Sequence, residues 1–119
     1  MTVTLWKISR YCVMSAIHLI KKTEAGLPPI VPVQGEANIH TSGYWTLSEE
    51  TARSLIGGEI YFHERQREPS FYGGRIIDAR REDGGDYQDK IVFKFMFFAD
   101  CRGVRTDADG WSQEMKIVH

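Results

Sequence analysis

The sequence predicts an α+β domain: a small, strongly bent, mostly antiparallel sheet or barrel with one or two helices. Three stretches carry that expectation. Gly57 to Arg81 reads as two strands joined by a polar connection. Asp89 to Ala99 reads as a strand that is apolar on both faces, as in the middle of a sheet. Between Thr46 and Ile56 lies a helix signal of capping-box form, with Thr46 as N-cap, Glu49 three residues on, and Ser48 as a rival cap.

Taken in order, Val3 to Ile8 alternates weakly, as a strand would. From Ser9 to Thr23 the spacing of Val13, Ile17 and Ile20 suggests a helix ending near Lys21 and Lys22, with strand as the alternative for Tyr11 to Ile20 because of its β-branched content. Gly26 to Gly35, with Pro28, Pro29 and Pro32, is an extended connector, and Ala37 to Thr41 a short strand. In the helix Ser48 to Ile56, Ala52, Leu55 and Ile56 form the inner stripe, and Gly57-Gly58 ends it. Glu59 to His63 is a strand with Ile60 and Phe62 on one face and Glu59, Tyr61 and His63 on the other. Glu64 to Phe71 is expected to be a flexible connection that carries no essential fold contact, and Gly73-Gly74 to lead into a second strand, Arg75 to Ala79. Glu82 to Asp86 is a turn by composition. Within Asp89 to Ala99, Phe93 and Phe95 are packing residues. Asp100 to Gly110 is a charged loop, and Trp111 to Val118 a last strand that closes the sheet.

The chain has 119 residues, 42% of them hydrophobic and 26% charged, which suits one domain with a sizeable core. Residues 1–36 form an N-terminal extension and 37–119 the β-rich core. A net charge of −1 gives no global attraction to nucleic acid or to anionic membrane, though it leaves room for a local basic patch. Cys12 and Cys101 form no CxxC pair, which fits reduced thiols in a cytoplasmic protein. No stretch is long and apolar enough for a transmembrane span, and no cleavage site follows Tyr11 to Ile20.

The polar side chains suggest four chemistries, each with an ordinary structural role as its alternative. His18, His40, His63, His119 and the two cysteines lack metal-ligand spacing, so neither a metal nor a cofactor is expected. His63 with Glu64 or Glu59 could do acid–base work, but no nucleophile elbow accompanies them. The glycine pairs match no phosphate-binding loop. Arg65, Arg67, Arg75, Arg80 and Arg81, interleaved with Phe71 and Tyr72, have the composition of a nucleic-acid surface, diluted by Glu64, Glu68, Asp78, Glu82 and Asp83.

The order of Tyr44-Trp45, a helix ending at Gly57-Gly58, Ile60-Tyr61-Phe62-His63 and Gly73-Gly74-Arg75-Ile76-Ile77 resembles the PUA-like superfamily, in particular its EVE and ASCH branches, over residues 38–99. The Trp-x-Gly-Val-Arg element of EVE domains is absent here. The resemblance implies a small mixed β-barrel that recognises a modified or flipped base, or structured RNA, in an aromatic pocket, with Tyr44, Trp45 and His63 as the positions carried over. The leading expectation is therefore a non-catalytic binding domain for RNA or DNA: Tyr44 and Trp45 stack on a base, while Arg65, Arg67 and Arg75 neutralise phosphates. The alternatives are a small enzyme built on His63 and a nearby carboxylate, and a protein-interaction module that forms a homodimer.

Overall fold

The computed structural model describes residues 15–21, 30–107, 109–112 and 114–118. The expected strand at Val3 to Ile8, Cys12, Pro28, Pro29 and His119 lie outside the described residues. Seven strands form one sheet: β1 (Ala16–Ile20), β2 (Ile30–Pro32), β3 (Ile39–Ser42), β4 (Glu59–His63), β5 (Ser70–Arg81), β6 (Ile91–Phe97) and β7 (Met115–Val118). A helix, α1 (Glu49–Ser54), precedes β4, and a 3-10 turn, Ala99–Cys101, follows β6. The strand order is β2-β3-β6-β5-β4-β1-β7. Among the described residues only β1 and β4 run parallel; every other neighbouring pair is antiparallel.

The α+β class stands, but the barrel alternative does not. Among the described residues β2 and β7 are the two edges of an open sheet, so the segment ending at Val118 lies beside β1 and closes nothing. Ile17 and Ile20 do not lie in a helix: Ala16–Ile20 is a strand held between β4 and β7, and Val13 lies outside the described residues. Ile17 and Leu19 pack on one face while Ala16 and His18 are buried on the other. A strand covered on both sides loses its period-two signature, and its apolar run then reads like a helix.

The main core lies on the face that carries Ile17, Leu19, Ile60, Phe62, Ile76, Phe93 and Phe95. Helix α1 covers one end of it with Ala52 and Leu55, and Trp45 is locked there by exchanging backbone hydrogen bonds with Ile91. Ser48, not Thr46, is the N-cap; its hydroxyl accepts from the Thr51 N–H at 3.1 Å. The helix stops at Leu55, and Gly57 turns the chain into β4 with φ at 91°, where a side chain would be strained.

The pair Gly73-Gly74 sits inside β5 and not before it, because two backbones approach it closely. A Cβ at Gly74 would collide with the Met96 carbonyl, and one at Gly73 with the Ile60 carbonyl. Two bulges shape β5. Phe71 is the extra residue between the Phe62–Tyr72 and His63–Ser70 pairs, which brings Ser70 opposite His63. Ile77 is the extra residue between the Ile76–Phe95 and Asp78–Lys94 pairs, and its side chain is turned outward.

Candidate functional site

The opposite face of β1 and β4 has a different chemistry. The register sets His18 beside Tyr61 and beside Lys116, and Ile20 beside His63, so one surface carries His18, Tyr61, His63 and Lys116. All four are buried. Burial of so many polar groups demands partners, and these partners organise the site.

His63, with 0% exposure, has both ring nitrogens engaged: Nδ1 lies 2.9 Å from the Glu68 carbonyl and Nε2 2.8 Å from Nδ1 of His18. A carbonyl can only accept, so Nδ1 of His63 carries the hydrogen. In a neutral ring Nε2 is then an acceptor. His18 Nδ1 must donate to it, because two lone pairs facing each other at that distance would repel. Both rings are neutral near pH 7. Burial first, then the positive charge of a protonated His63, then Lys116, hold His18 down to about 4. Burial also lowers His63, partly offset by its hydrogen bond to Glu68.

Two rings complete the cluster. Tyr61 stacks on His18 with centroids 4.7 Å apart. Trp111 meets His63 edge-on at 5.6 Å and His18 at 6.2 Å. Trp111 arrives on the segment after the 3-10 turn. That segment is tied to β5 where the Val104 N–H donates to Ser70 Oγ, and Ser70 Oγ donates to the Cys101 carbonyl. It then reaches β7, where Lys116 Nζ donates to the backbone and carboxylate oxygens of Asp107 at 3.0 and 2.7 Å. Since β4 and β1 lie between β5 and β7, the segment crosses above them and covers the imidazole pair. The hydrogen bond from Lys116, and then its charge, hold the Asp107 carboxyl below its ordinary range.

The rim of this cluster carries three exposed arginines beside the carboxylates of Glu64, Glu68 and Asp107. Arg65 and Arg67 project from the turn between β4 and β5, and Arg105 donates to the Arg67 carbonyl at 3.2 Å. The turn is not free of fold contacts, contrary to expectation. Glu68 accepts from buried His63, Glu64 pairs with Lys21 at 2.9 Å, and the His63 carbonyl accepts from the Lys21 N–H.

The six residues expected at a binding site divide into three places. His63, Arg65 and Arg67 come together here. Trp45 is 1% exposed and belongs to the main core, on the other face of the sheet from the His63 cluster; its expected place beside His63 is corrected. Tyr44, next to it, stacks on Tyr87 at 3.9 Å. This aromatic pair sits where β5 ends, and the arginines sit where it begins, roughly 36 Å away at about 3.3 Å per residue. Arg75 faces Glu59 across β4 and β5 and lies over the Phe98 ring. The acid–base pairing expected of His63 with Glu59 or Glu64 is also absent. Cys101 Sγ donates to Glu59 Oε2 at 3.2 Å, Glu64 holds Lys21, and the imidazole of His63 is occupied by His18 and Glu68.

Among the described residues no group of three or more His, Cys, Asp or Glu side chains could hold a metal ion, and no helix is long and apolar enough to cross a membrane. No protein-family model matches this chain, and no curated protein or solved structure matches it.

Proposed function

We propose that the chain is a non-catalytic binding domain for single-stranded or otherwise unpaired nucleic acid, and that its site is the ring cluster of His18, Tyr61, His63 and Trp111 with the rim of Arg65, Arg67 and Arg105. One observation supports this above the rest: the only His63-centred aromatic cluster among the described residues lies at the same end of the molecule as these three exposed arginines. Rings supply stacking surfaces and arginines supply phosphate contacts, the two contributions that single-strand binding combines. The PUA-like resemblance gives the same ligand class from other residues, with His63 common to both. For a base to reach the rings, the segment around Asp107 must lift from Lys116. At Lys116 it is held by one exposed carboxylate and one backbone oxygen, and before that by Val104 on Ser70 and Arg105 on Arg67.

The test is fluorescence anisotropy of labelled eight-nucleotide RNA and DNA single strands at low salt. Stacking on an aromatic contributes about 1–3 kcal/mol per base, so Trp111→Ala is expected to weaken binding by roughly 5- to 150-fold. Tyr44→Ala, at the far end of β5, is expected to leave affinity unchanged. Absence of binding, or an equal loss in the two variants, would overturn the proposal.

A further inference from the structure

The hydrogen-bond direction inside the imidazole pair has a consequence for what the site can recognise. The chain of donors starts at His63 Nδ1–H, which serves the Glu68 carbonyl, and passes through His18 Nδ1–H, which serves His63 Nε2. It ends on His18 Nε2, a lone pair for which the described residues provide no donor. His18 is 4% exposed. In the same ring cluster the Trp111 Nε1–H is buried and has no acceptor among the described residues. Of the two, Trp111 Nε1–H is the buried atom left without a partner among the described residues, while His18 Nε2 is an acceptor that is not fully buried. A buried donor without a partner is costly, and it is uncommon unless something else satisfies it.

We infer that His18 Nε2 and Trp111 Nε1–H read the hydrogen-bonding edge of an unpaired nucleobase, His18 accepting from a base N–H and Trp111 donating to the neighbouring base acceptor. This rests on the proposed function and specifies it. An unpaired base offers a donor beside an acceptor on its Watson–Crick edge, and single-stranded recognition uses that edge. An aromatic wall alone would grip any base. A directed acceptor adds discrimination, because a base that cannot donate leaves the His18 lone pair unpaired. Glu68 is the anchor of this polarity. Its carbonyl, which cannot be reversed, fixes the tautomer of His63 and through it that of His18.

Two measurements test the inference. Two-bond nitrogen–proton correlation spectra of the labelled protein at pH 7 are expected to show His18 and His63 both protonated on Nδ1, the minority tautomer of free imidazole. Protonation of His18 on Nε2 would overturn the inference at once. Anisotropy titrations then compare the tightest binder among four homo-oligonucleotide eight-mers with its counterpart alkylated on the donor nitrogen. The wild type is expected to lose at least tenfold on alkylation. His18→Phe, which keeps a ring for stacking, is expected to bind the unmodified strand as weakly as the wild type binds the alkylated one, with no further loss on alkylation. Trp111→Phe serves as a second variant should His18→Phe not fold, and is expected to weaken the unmodified strand while preserving its alkylation penalty. Binding with no alkylation penalty in the wild type overturns this inference and leaves the proposed function standing. Failure of every homo-oligonucleotide to bind overturns the proposed function, and this inference with it.

Discussion

At the scale of single residues, the imidazole pair makes the protein sensitive to acid. The unfolded chain's histidines titrate near the ordinary value of 6.5, whereas folded His18 resists protonation down to about 4. Between these values the unfolded state binds more protons than the folded state, so stability rises with pH across the window. Acidification from pH 7 toward 4 is therefore expected to lower the thermal midpoint progressively. His63, lowered in the same direction, adds to the effect. The titratable groups facing His18 are His63 and Tyr61 from β4 and Lys116 from β7, and of these His63 and Lys116 oppose a second positive charge. Asp107 acts at lower pH: its carboxyl is held below 3.8, and the stability it contributes is lost only as the pH falls through that range. Thermal melts from pH 7.5 to 4.5 would check this. His18→Phe should show a flatter slope than the wild type even if it starts less stable. Equal slopes would mean that the pair is already charged in the folded state.

At the scale of elements, two glycines separate two kinds of constraint. Gly57 has open space around a would-be Cβ but a φ of 91°, so Gly57→Ala costs only left-handed strain, about 1–2 kcal/mol. Gly74 has an ordinary φ, but a Cβ there meets the Met96 carbonyl in the centre of the sheet, where neither strand can yield. Gly74→Ala is expected to cost more than Gly57→Ala, at or beyond the upper end of the ~1–3 kcal/mol typical of overpacking. Urea melts of the two variants would rank them, and the reverse order would mean that β5 and β6 are not paired in this register. The same contrast explains what could be read from the chain beforehand. Glu59–His63 was legible because its side chains alternate, and α1 because of its cap and stripe. Gly73-Gly74 resembled a turn because close backbone approach leaves no mark in the local pattern. His18 stood out only as one of four histidines without metal-ligand spacing, and its pairing with His63 could not be read because its partner lies 45 positions away. Trp111 joins the site only through a segment that crosses two strands, and Lys116 through the pairing of β7 with β1. Tyr44 and Trp45 were the more conspicuous aromatics, yet one fills the core and the other packs on Tyr87.

At the scale of the whole molecule, the charge distribution decides how binding should respond to salt. The net charge is −1, so long-range attraction for a polyanion is weak, and any electrostatic gain must come from local contacts. Several cations elsewhere are compensated: Arg53 by Glu49, Arg80 by Glu82, and Lys94 by Glu36. At the site, Lys116 is consumed by Asp107, and Arg65 has only a loose 3.8 Å contact with Glu68. Arg65, Arg67 and Arg105 therefore set the phosphate count. Each single-strand phosphate they neutralise contributes about −0.7 to the slope of log K against log salt, for a total of about −2. Arg67→Ala or Arg105→Ala should each make the slope shallower by roughly 0.7. Trp111→Ala should lower the affinity at every salt concentration without changing the slope, because stacking displaces no counterion. Arg80→Ala, at the opposite end of β5, should change neither. Titrations at four ionic strengths with one labelled strand would separate these outcomes. A slope much steeper than three contacts allow, insensitive to Arg67 and Arg105, would place the nucleic acid on some other surface of the molecule.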